Sequence, residues 1–350
     1  MSERYREIEV SGTPRDLGLQ LGEAARDEIR GFAAVAMERV QKTIAISPEA
    51  ALDQARACIP LVAAYASDML AELEGVAESS GVSLDELMLL QIRNQLRDQS
   101  GCTAFSLDPS ITAGNHSIVA QNWDNDPVLD PFTVVLTRRP EGKPAIMDLT
   151  QAGLIAYIGL NDRGIGLCMN TLPAPSRPLG VPHYFTVRAI YESDSLEQAA
   201  DAVGRAERAI PANILLATPQ GPADLEVTVD DVHILRDPGT GIVTHTNHCL
   251  HPDLVPINED FPELIESHPR KRRIDALLVD APRPLQLEDL QNALRDHNGE
   301  PRSICRHAND HPETGFWVSV FSVIIEANTQ RMHVSRGNPC ENDYQTYTLN

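Results

Sequence analysis

Gly101-Cys102-Thr103-Ala104-Phe105 is followed, nineteen to twenty-two residues after the cysteine, by Gln121-Asn122-Trp123-Asp124. Between them the sequence predicts a strand over 103–107, a turn from Asp108-Pro109-Ser110 through Gly114-Asn115, and a second strand over 117–123. Such a hairpin folds Asp124 back toward Cys102. The glycine has no side chain to shield its carbonyl, so the neighbouring thiol can reach it. An N-to-S acyl shift at Gly101–Cys102 followed by hydrolysis would free Cys102 as a new N-terminus. Its α-amine could then activate its own thiol, as the amine of an N-terminal threonine nucleophile does. A lone cysteine is most often a small core residue, and Gly-Cys alone carries little. The returning Asn-Trp-Asp makes the combination far more specific.

Outward from this hairpin the texture differs on the two sides. Before it, helices are expected: Thr13-Pro14-Arg15-Asp16 is a capped start, with Leu17, Leu21, Ala25, Ile29 and Phe32 on one face. Ser47 with Pro48 opens a second helical stretch to about residue 81, and Ser83…Glu86 is a capping box for a third, to about residue 96. After it, strands are predicted over 132–136, 145–149, 153–160 and 164–169, then helices over 182–192 and 195–207. Strands at 214–218, 225–229, 232–235 and 242–246 follow, with Glu226 and Thr228 alternating against apolar neighbours. Helices at 262–279 and 287–296 and strands at 317–325 and 332–335 close the chain. This order suits packed sheets between outer helices, an α+β architecture. Residues 1–101 form a mostly helical segment and 102–350 the catalytic segment, together one fold.

With 350 residues the chain can bury a large core, and 29 basic against 50 acidic residues give a net charge of −21. That surface repels nucleic acid and anionic lipid, so neither is an expected partner. No apolar run approaches the ~18 residues of a membrane span, and the first residues lack the apolar segment of a signal peptide. A cytoplasmic location is expected. The cysteines at 58, 102, 168, 249, 305 and 340 form no close pair, hence no disulfide framework or CxxC motif. All but Cys102 read as structural thiols.

The Gly101–Phe105 stretch with Gln121–Asp124 resembles the acyl-coenzyme A:6-aminopenicillanic acid acyltransferase family, the autoproteolytic peptidase family C45. It is similar, more distantly, to choloylglycine hydrolases and penicillin V acylases. The resemblance implies a four-layer αββα N-terminal nucleophile hydrolase fold and a cleavage site at Gly101–Cys102. Asp124 falls on the aspartate that holds the nucleophile's α-amino group. Gly159-Leu160-Asn161-Asp162-Arg163-Gly164-Ile165-Gly166 leads to Asn170, an oxyanion contributor partly through its backbone N–H. His245-Thr246-Asn247-His248 matches a Thr-Asn segment whose asparagine amide is the other oxyanion donor. Gln121 stands where choloylglycine hydrolases keep a substrate-steering arginine, so Gln121 and Thr103 are the expected substrate contacts. In Ser303-Ile304-Cys305-Arg306-His307, Arg306 is taken as the family's arginine near the site, with Arg302 in competition.

Plainer readings exist for several of these. Asp124 and Asn170 are residue types common in turns, and Arg306 serves equally as a structural ion-pair partner. His268-Pro269-Arg270-Lys271-Arg272-Arg273 reads as a solvated helix start in so acidic a chain. A rival of another class is a zinc hydrolase using His245, His248, His251 and Cys249, joined by Cys305 and His307. Its spacing fits no standard zinc pattern, and strand geometry places His245 and His248 on opposite faces. An inactive binding module is the third class. The preferred reading is a self-processing cysteine amidase or acyltransferase acting on a small amide or thioester, with no cofactor and no metal. The cleaved N-terminal segment would remain as its heterodimer partner. Nothing marks a coenzyme A site, so hydrolysis is preferred and acyl-CoA-dependent N-acyl transfer is the alternative.

Overall fold

The computed structural model describes residues 4–40, 46–96, 101–261, 266–312 and 314–350. Strand β1 (Glu7–Gly12) leads into Thr13, whose hydroxyl accepts the Asp16 N–H while the Asp16 carboxylate accepts the Thr13 N–H. This reciprocal cap starts α1 (Pro14–Ala24), and the apolar stripe read as one helix breaks at Ala25 before α2 (Arg26–Arg39). α3 (Pro48–Ser80) and α4 (Leu84–Leu96) begin on the expected serine caps, Ser47 and Ser83. Gly18 lets α1 meet α3 at backbone contact: a Cβ there would lie 1.9 Å from the Glu72 carbonyl oxygen.

The hairpin follows as β2 (Gly101–Leu107) and β3 (Ile118–Asn125), then β4 (Thr133–Pro140), β5 (Ile146–Gln151), β6 (Ile158–Asn161) and β7 (Gly166–Asn170). α5 (His183–Tyr191) and α6 (Leu196–Gly204) precede β8 (Ala212–Thr218), β9 (Gly221–Val227), β10 (Val232–Arg236) and β11 (Ile242–His245). α7 (Ser267–Asp280), α8 (Leu287–Leu294), β12 (Val318–Glu326), β13 (Arg331–Arg336) and β14 (Gln345–Thr348) complete the chain. The strand expected over 153–160 is shorter, because Gly153 turns the chain at φ +99° before β6 starts. Residues 262–265 of the helix expected over 262–279 lie outside the described residues, and β14 had no sequence counterpart.

Two sheets result, one ordered β1-β4-β5-β6-β7-β8-β9-β10 and the other β11-β2-β3-β12-β13-β14. The β1–β4 pair is parallel and the remaining pairs are antiparallel. Period-two alternation sorts β2 between two cores. Cys102 and Ala104 belong to the core shared with Tyr157, Leu167 and Leu215 of the larger sheet. Phe105 and Leu107 pack instead with Ile274 and Leu278 of α7 and Leu290 and Leu294 of α8. On the far side, Arg138 of β4 bonds Glu72 of α3 at 2.8 Å and Asp148 of β5 at 2.9 Å, and Arg188 of α5 reaches Glu72 at 3.0 Å. The layers are therefore helices, sheet, sheet, helices: the expected αββα sandwich.

Candidate active site

Register fixes the centre of the site. Across β2 and β3, Gly101 faces Asp124, Cys102 faces Trp123 and Thr103 faces Asn122. Paired residues share a face, so the Cys102 side chain points between the sheets with Trp123 and Gln121, while Thr103, Asn122 and Asp124 point toward α7 and α8. The surroundings of Cys102 are thus built from both faces of one strand. Trp123 is held by stacking on Phe321, with ring centroids 4.9 Å apart. Asn122 ties β3 to the outer layer by donating to the carbonyls of Leu294 (2.8 Å) and Ile304 (3.0 Å).

On the outer face lies a polar cluster built around a residue that sequence reasoning missed. Arg270, 1% exposed, donates through Nη1 to the Cys102 carbonyl and to Thr103 Oγ1 (2.9 Å), and through Nη2 to Asn247 Oδ1 (2.8 Å). The basic run 268–273 is therefore not simply a solvated helix start. Its third residue turns inward in the first turn of α7, while Arg273 pairs with Asp296 and Lys271 with Asp275. Sequence gave one signal, an arginine a helical turn ahead of the apolar Ile274, but its basic neighbours masked it. Thr103, expected to contact substrate, is instead buried and spent on Arg270.

Asn247 accepts twice on Oδ1, from Arg270 and from the Cys102 main-chain N–H at 2.9 Å. Both partners are donors, which fixes the amide orientation. Its Nδ2 donates to the Thr171 carbonyl at 3.0 Å. In this continuous chain Asn247 thus presents its amide oxygen to the Cys102 nitrogen, and not the NH₂ group expected for an oxyanion donor. Asn247 is set by its own N–H on Ser267 Oγ (2.6 Å) and by Glu226 of β9, which accepts from His245 Nε2 (2.8 Å), Leu250 N and His251 N (2.9 Å). Both ring nitrogens of His245 face acceptors, the second being the Thr246 carbonyl at 2.8 Å, so the imidazolium is the form that satisfies them. Burial disfavours that cation, but Asp224 and Glu226 outweigh it and raise the His245 pKa.

Asp124 is fully buried. Ser319 Oγ donates to its Oδ1 at 2.7 Å, and Oδ2 has no hydrogen-bond partner among the described residues. Burial pushes its pKa up to about 6, against the pull of Arg270, Ser319 and Arg306. Arg306 reaches Asp124 indirectly: its N–H donates to the same Ser319 hydroxyl (3.0 Å), and its guanidinium bonds the Thr314 carbonyl (3.2 Å). Arg302 is exposed and pairs with Glu266, so of the two arginines only Arg306 belongs to this environment.

On the inner face, burial and the Asp124 charge raise the Cys102 thiol pKa, while a hydrogen bond from Gln121 and the Arg270 charge oppose them. Gln121, expected as a substrate contact, is engaged with the protein's own backbone. It is buried and bidentate on the Met169 backbone, donating to O at 2.7 Å and accepting from N at 3.0 Å, so it staples the two sheets beside the thiol. That fixes the end of β7, where Asn170 donates to the Thr246 carbonyl (2.9 Å) and leaves Oδ1 unpartnered. Asn170, Tyr157, Thr171 and His183 enclose a cavity of about 20 Å³, room for about one water. His183 is buried with neither ring nitrogen partnered, and burial, aided by Arg93, lowers its pKa to about 3.

The histidine-rich segment forms no zinc site around His245. His245 is bound to Glu226, and His248 Nδ1 lies 2.6 Å from Ser267 Oγ. Cys305 and His307 lie elsewhere, beside His297 and Cys340.

The acyl-coenzyme A:6-aminopenicillanic acid acyl-transferase family model matches residues 111–341. The chain belongs to this family. It is also 25% identical, over 98% of its own length and 95% of the relative's, to the acyl-coenzyme A:6-aminopenicillanic-acid-acyltransferase 40 kDa form of Emericella nidulans. Among solved structures it is similar to a variant of conjugated bile acid hydrolase from Clostridium perfringens, at 12% identity and TM-score 0.44, covering 71% of this chain and 97% of that one. Penicillin V acylase from Agrobacterium tumefaciens gives 12% identity and TM-score 0.43, covering 67% and 83%. As a member of the family the chain is an enzyme of the acyltransferase family. No described helix is long and apolar enough to cross a membrane.

Proposed function

We propose that the protein is a self-processing cysteine amidohydrolase or acyltransferase with Cys102 as nucleophile. The observation that carries this is the Cys102 main-chain N–H bound to Asn247 Oδ1 at 2.9 Å, one residue after Gly101, which pairs across the hairpin with Asp124. During maturation the thiolate attacks the Gly101 carbonyl carbon. The C–N bond to Cys102 breaks, the nitrogen takes up a proton, and a Gly101–Cys102 thioester forms. Water then hydrolyses that thioester, leaving a carboxylate on residue 101 and a free amine and thiol on Cys102. Asn247 Oδ1 already sits where it would hold that amine, and the charge of Asp124 offsets its protonated form.

In turnover the amine takes the thiol proton, the thiolate adds to an amide or thioester carbonyl, and the leaving group departs with that proton. The acyl-enzyme passes its acyl group to water or an amine. Asn170 and Asn247 border the place where the oxyanion develops, with Arg270 and Arg306 supplying positive charge behind Asp124 and the Cys102 carbonyl.

The similarity to the acyl-coenzyme A-dependent acyltransferase of Emericella nidulans favours a second reading, acyl-CoA-dependent N-acyl transfer, on the same nucleophile. Denaturing mass spectrometry tests the common core. The wild type is expected as chains of 101 and 249 residues (350 − 101) and Cys102→Ala as one inactive chain of 350. An intact wild-type chain that hydrolyses amides sinks the proposal. An acyl-amide and acyl-thioester panel with and without amine acceptors separates the two readings.

A further inference from the structure

Cys305 and His307 meet His297, just past α8, and Cys340, between β13 and β14, with one ligand atom of each within 4.8 Å of all the others. Four of the six separations are close to the edges of a zinc tetrahedron. His297 Nε2 lies 2.9 Å from His307 Nε2, Cys305 Sγ lies 3.6 Å from Cys340 Sγ, and His307 Nε2 lies 3.8 and 3.3 Å from the two sulfurs. Zinc bound at ~2.3 Å to sulfur and ~2.0–2.1 Å to nitrogen gives edges of about 3.8 Å for S–S, 3.3 Å for N–N and 3.5 Å for S–N. The sulfurs are too far apart for a disulfide, whose bond is about 2.05 Å. Outer contacts match as well. The Glu341 carboxylate stands 3.9 Å from His307 Nδ1, and Asn338 Nδ2 donates to Cys305 Sγ at 3.6 Å.

The geometry points to a structural zinc site made of His297, Cys305, His307 and Cys340. Two thiolates and two neutral imidazoles complete the coordination, so binding releases the two thiol protons and leaves no position open for a reacting water. The site is separate from the Cys102 centre and does not revive a zinc hydrolase. Its place in the fold gives it a task. It clamps residues 297–307 to residues 338–341, where Asn338 also donates to the Arg306 carbonyl at 2.6 Å. Arg306 in turn bonds Ser319, which bonds Asp124. The metal therefore fixes the backbone on which the Arg306–Ser319–Asp124 relay hangs. Spacing hid the motif, because the fourth ligand lies 33 residues beyond the third.

Metal analysis of full-length protein expressed with zinc and dialysed tests this. Wild type and Cys102→Ala are expected to carry one zinc per chain, and Cys340→Ser or His297→Gln to fall to background. Glu341→Gln is expected to keep the site with affinity weaker by about 10–100-fold. Should the ligand variants fail to fold, cobalt titration of chelator-treated wild type gives an independent reading: thiolate-to-cobalt charge-transfer and intense tetrahedral d–d bands that saturate at one equivalent. Wild-type protein that retains no zinc and gives no such bands overturns the site. So does a zinc content unchanged in both ligand variants, or a mass showing Cys305 and Cys340 joined as a disulfide.

Discussion

Asp124 carries its charge in a place that disfavours it. Burial raises its pKa from 3.8 to about 6, so holding it ionised at neutral pH costs the fold about 3 kcal/mol. The native state keeps its proton to higher pH than the unfolded chain, so this residue's contribution falls as pH rises from about 4 to about 6 and stays flat above. Asp124→Asn removes that slope. Relative to the variant, wild type is expected to lose stability between pH 4 and 6, read as the difference in urea midpoint, while the variant fails to mature at any pH. A variant that matures normally removes Asp124 from the site. Arg270 answers a different need, since it forks between the Cys102 carbonyl, Thr103 and Asn247. A lysine is a point charge and cannot span those acceptors at once. Arg270→Lys is expected to fold yet lose about 1.5–3 kcal/mol for the missing charged hydrogen bond. Its maturation half-time should lengthen well beyond that of wild type, and an unchanged half-time would deny Arg270 a positioning role. At this scale the meeting of Cys102 with Asn247, and of Gly101 with Asp124, was foreshadowed by the Gly-Cys, Asn-Trp-Asp and Thr-Asn stretches. Arg270 was not, because burial of one residue in a basic run is decided by α7 docking on β2.

Among the elements, the β2–β3 hairpin was the most readable, since alternation and turn residues set its register from within. β9 was misleading. Glu226 alternates with apolar residues as a solvent-facing position does, yet it is buried, because the larger sheet is covered on both faces. There it serves as anchor for the turn after β11, accepting from His245, Leu250 and His251. A glutamine at 226 has only one oxygen and must aim its NH₂ at a donor. Glu226→Gln is therefore expected to cost about 3–5 kcal/mol, as breaking a buried pair does. Because the same turn presents Asn247, maturation should slow as well. Urea unfolding and the maturation time course measure the two effects. A variant with lower stability but wild-type maturation would show that Glu226 braces the fold without positioning Asn247.

At the scale of the whole molecule, cleavage after Gly101 would not separate two bodies. The 1–101 segment supplies β1, an edge strand paired with β4 along its length, and α1 to α4, whose apolar faces share one core with Cys102 and the larger sheet. Glu72 of α3 sits between Arg138 and Arg188 of the later segment, all three buried, and losing it would leave Arg138 with Asp148 and Arg188 with Glu192 as their remaining carboxylate partners. Helical caps and apolar stripes announced that the first hundred residues were helical. The parallel docking of β1 beside β4, more than a hundred residues away, left no local trace. The processed pieces are therefore expected to remain one particle: native mass spectrometry should return the mass of the sum, the hydrolysing water included, and separation should require denaturant. Glu72→Ala weakens that attachment by about 3–5 kcal/mol without touching the nucleophile. It should lower the urea concentration at which the processed pieces part while the processed fraction stays complete. If the pieces separate in buffer alone, the shared core does not hold the segments together after cleavage.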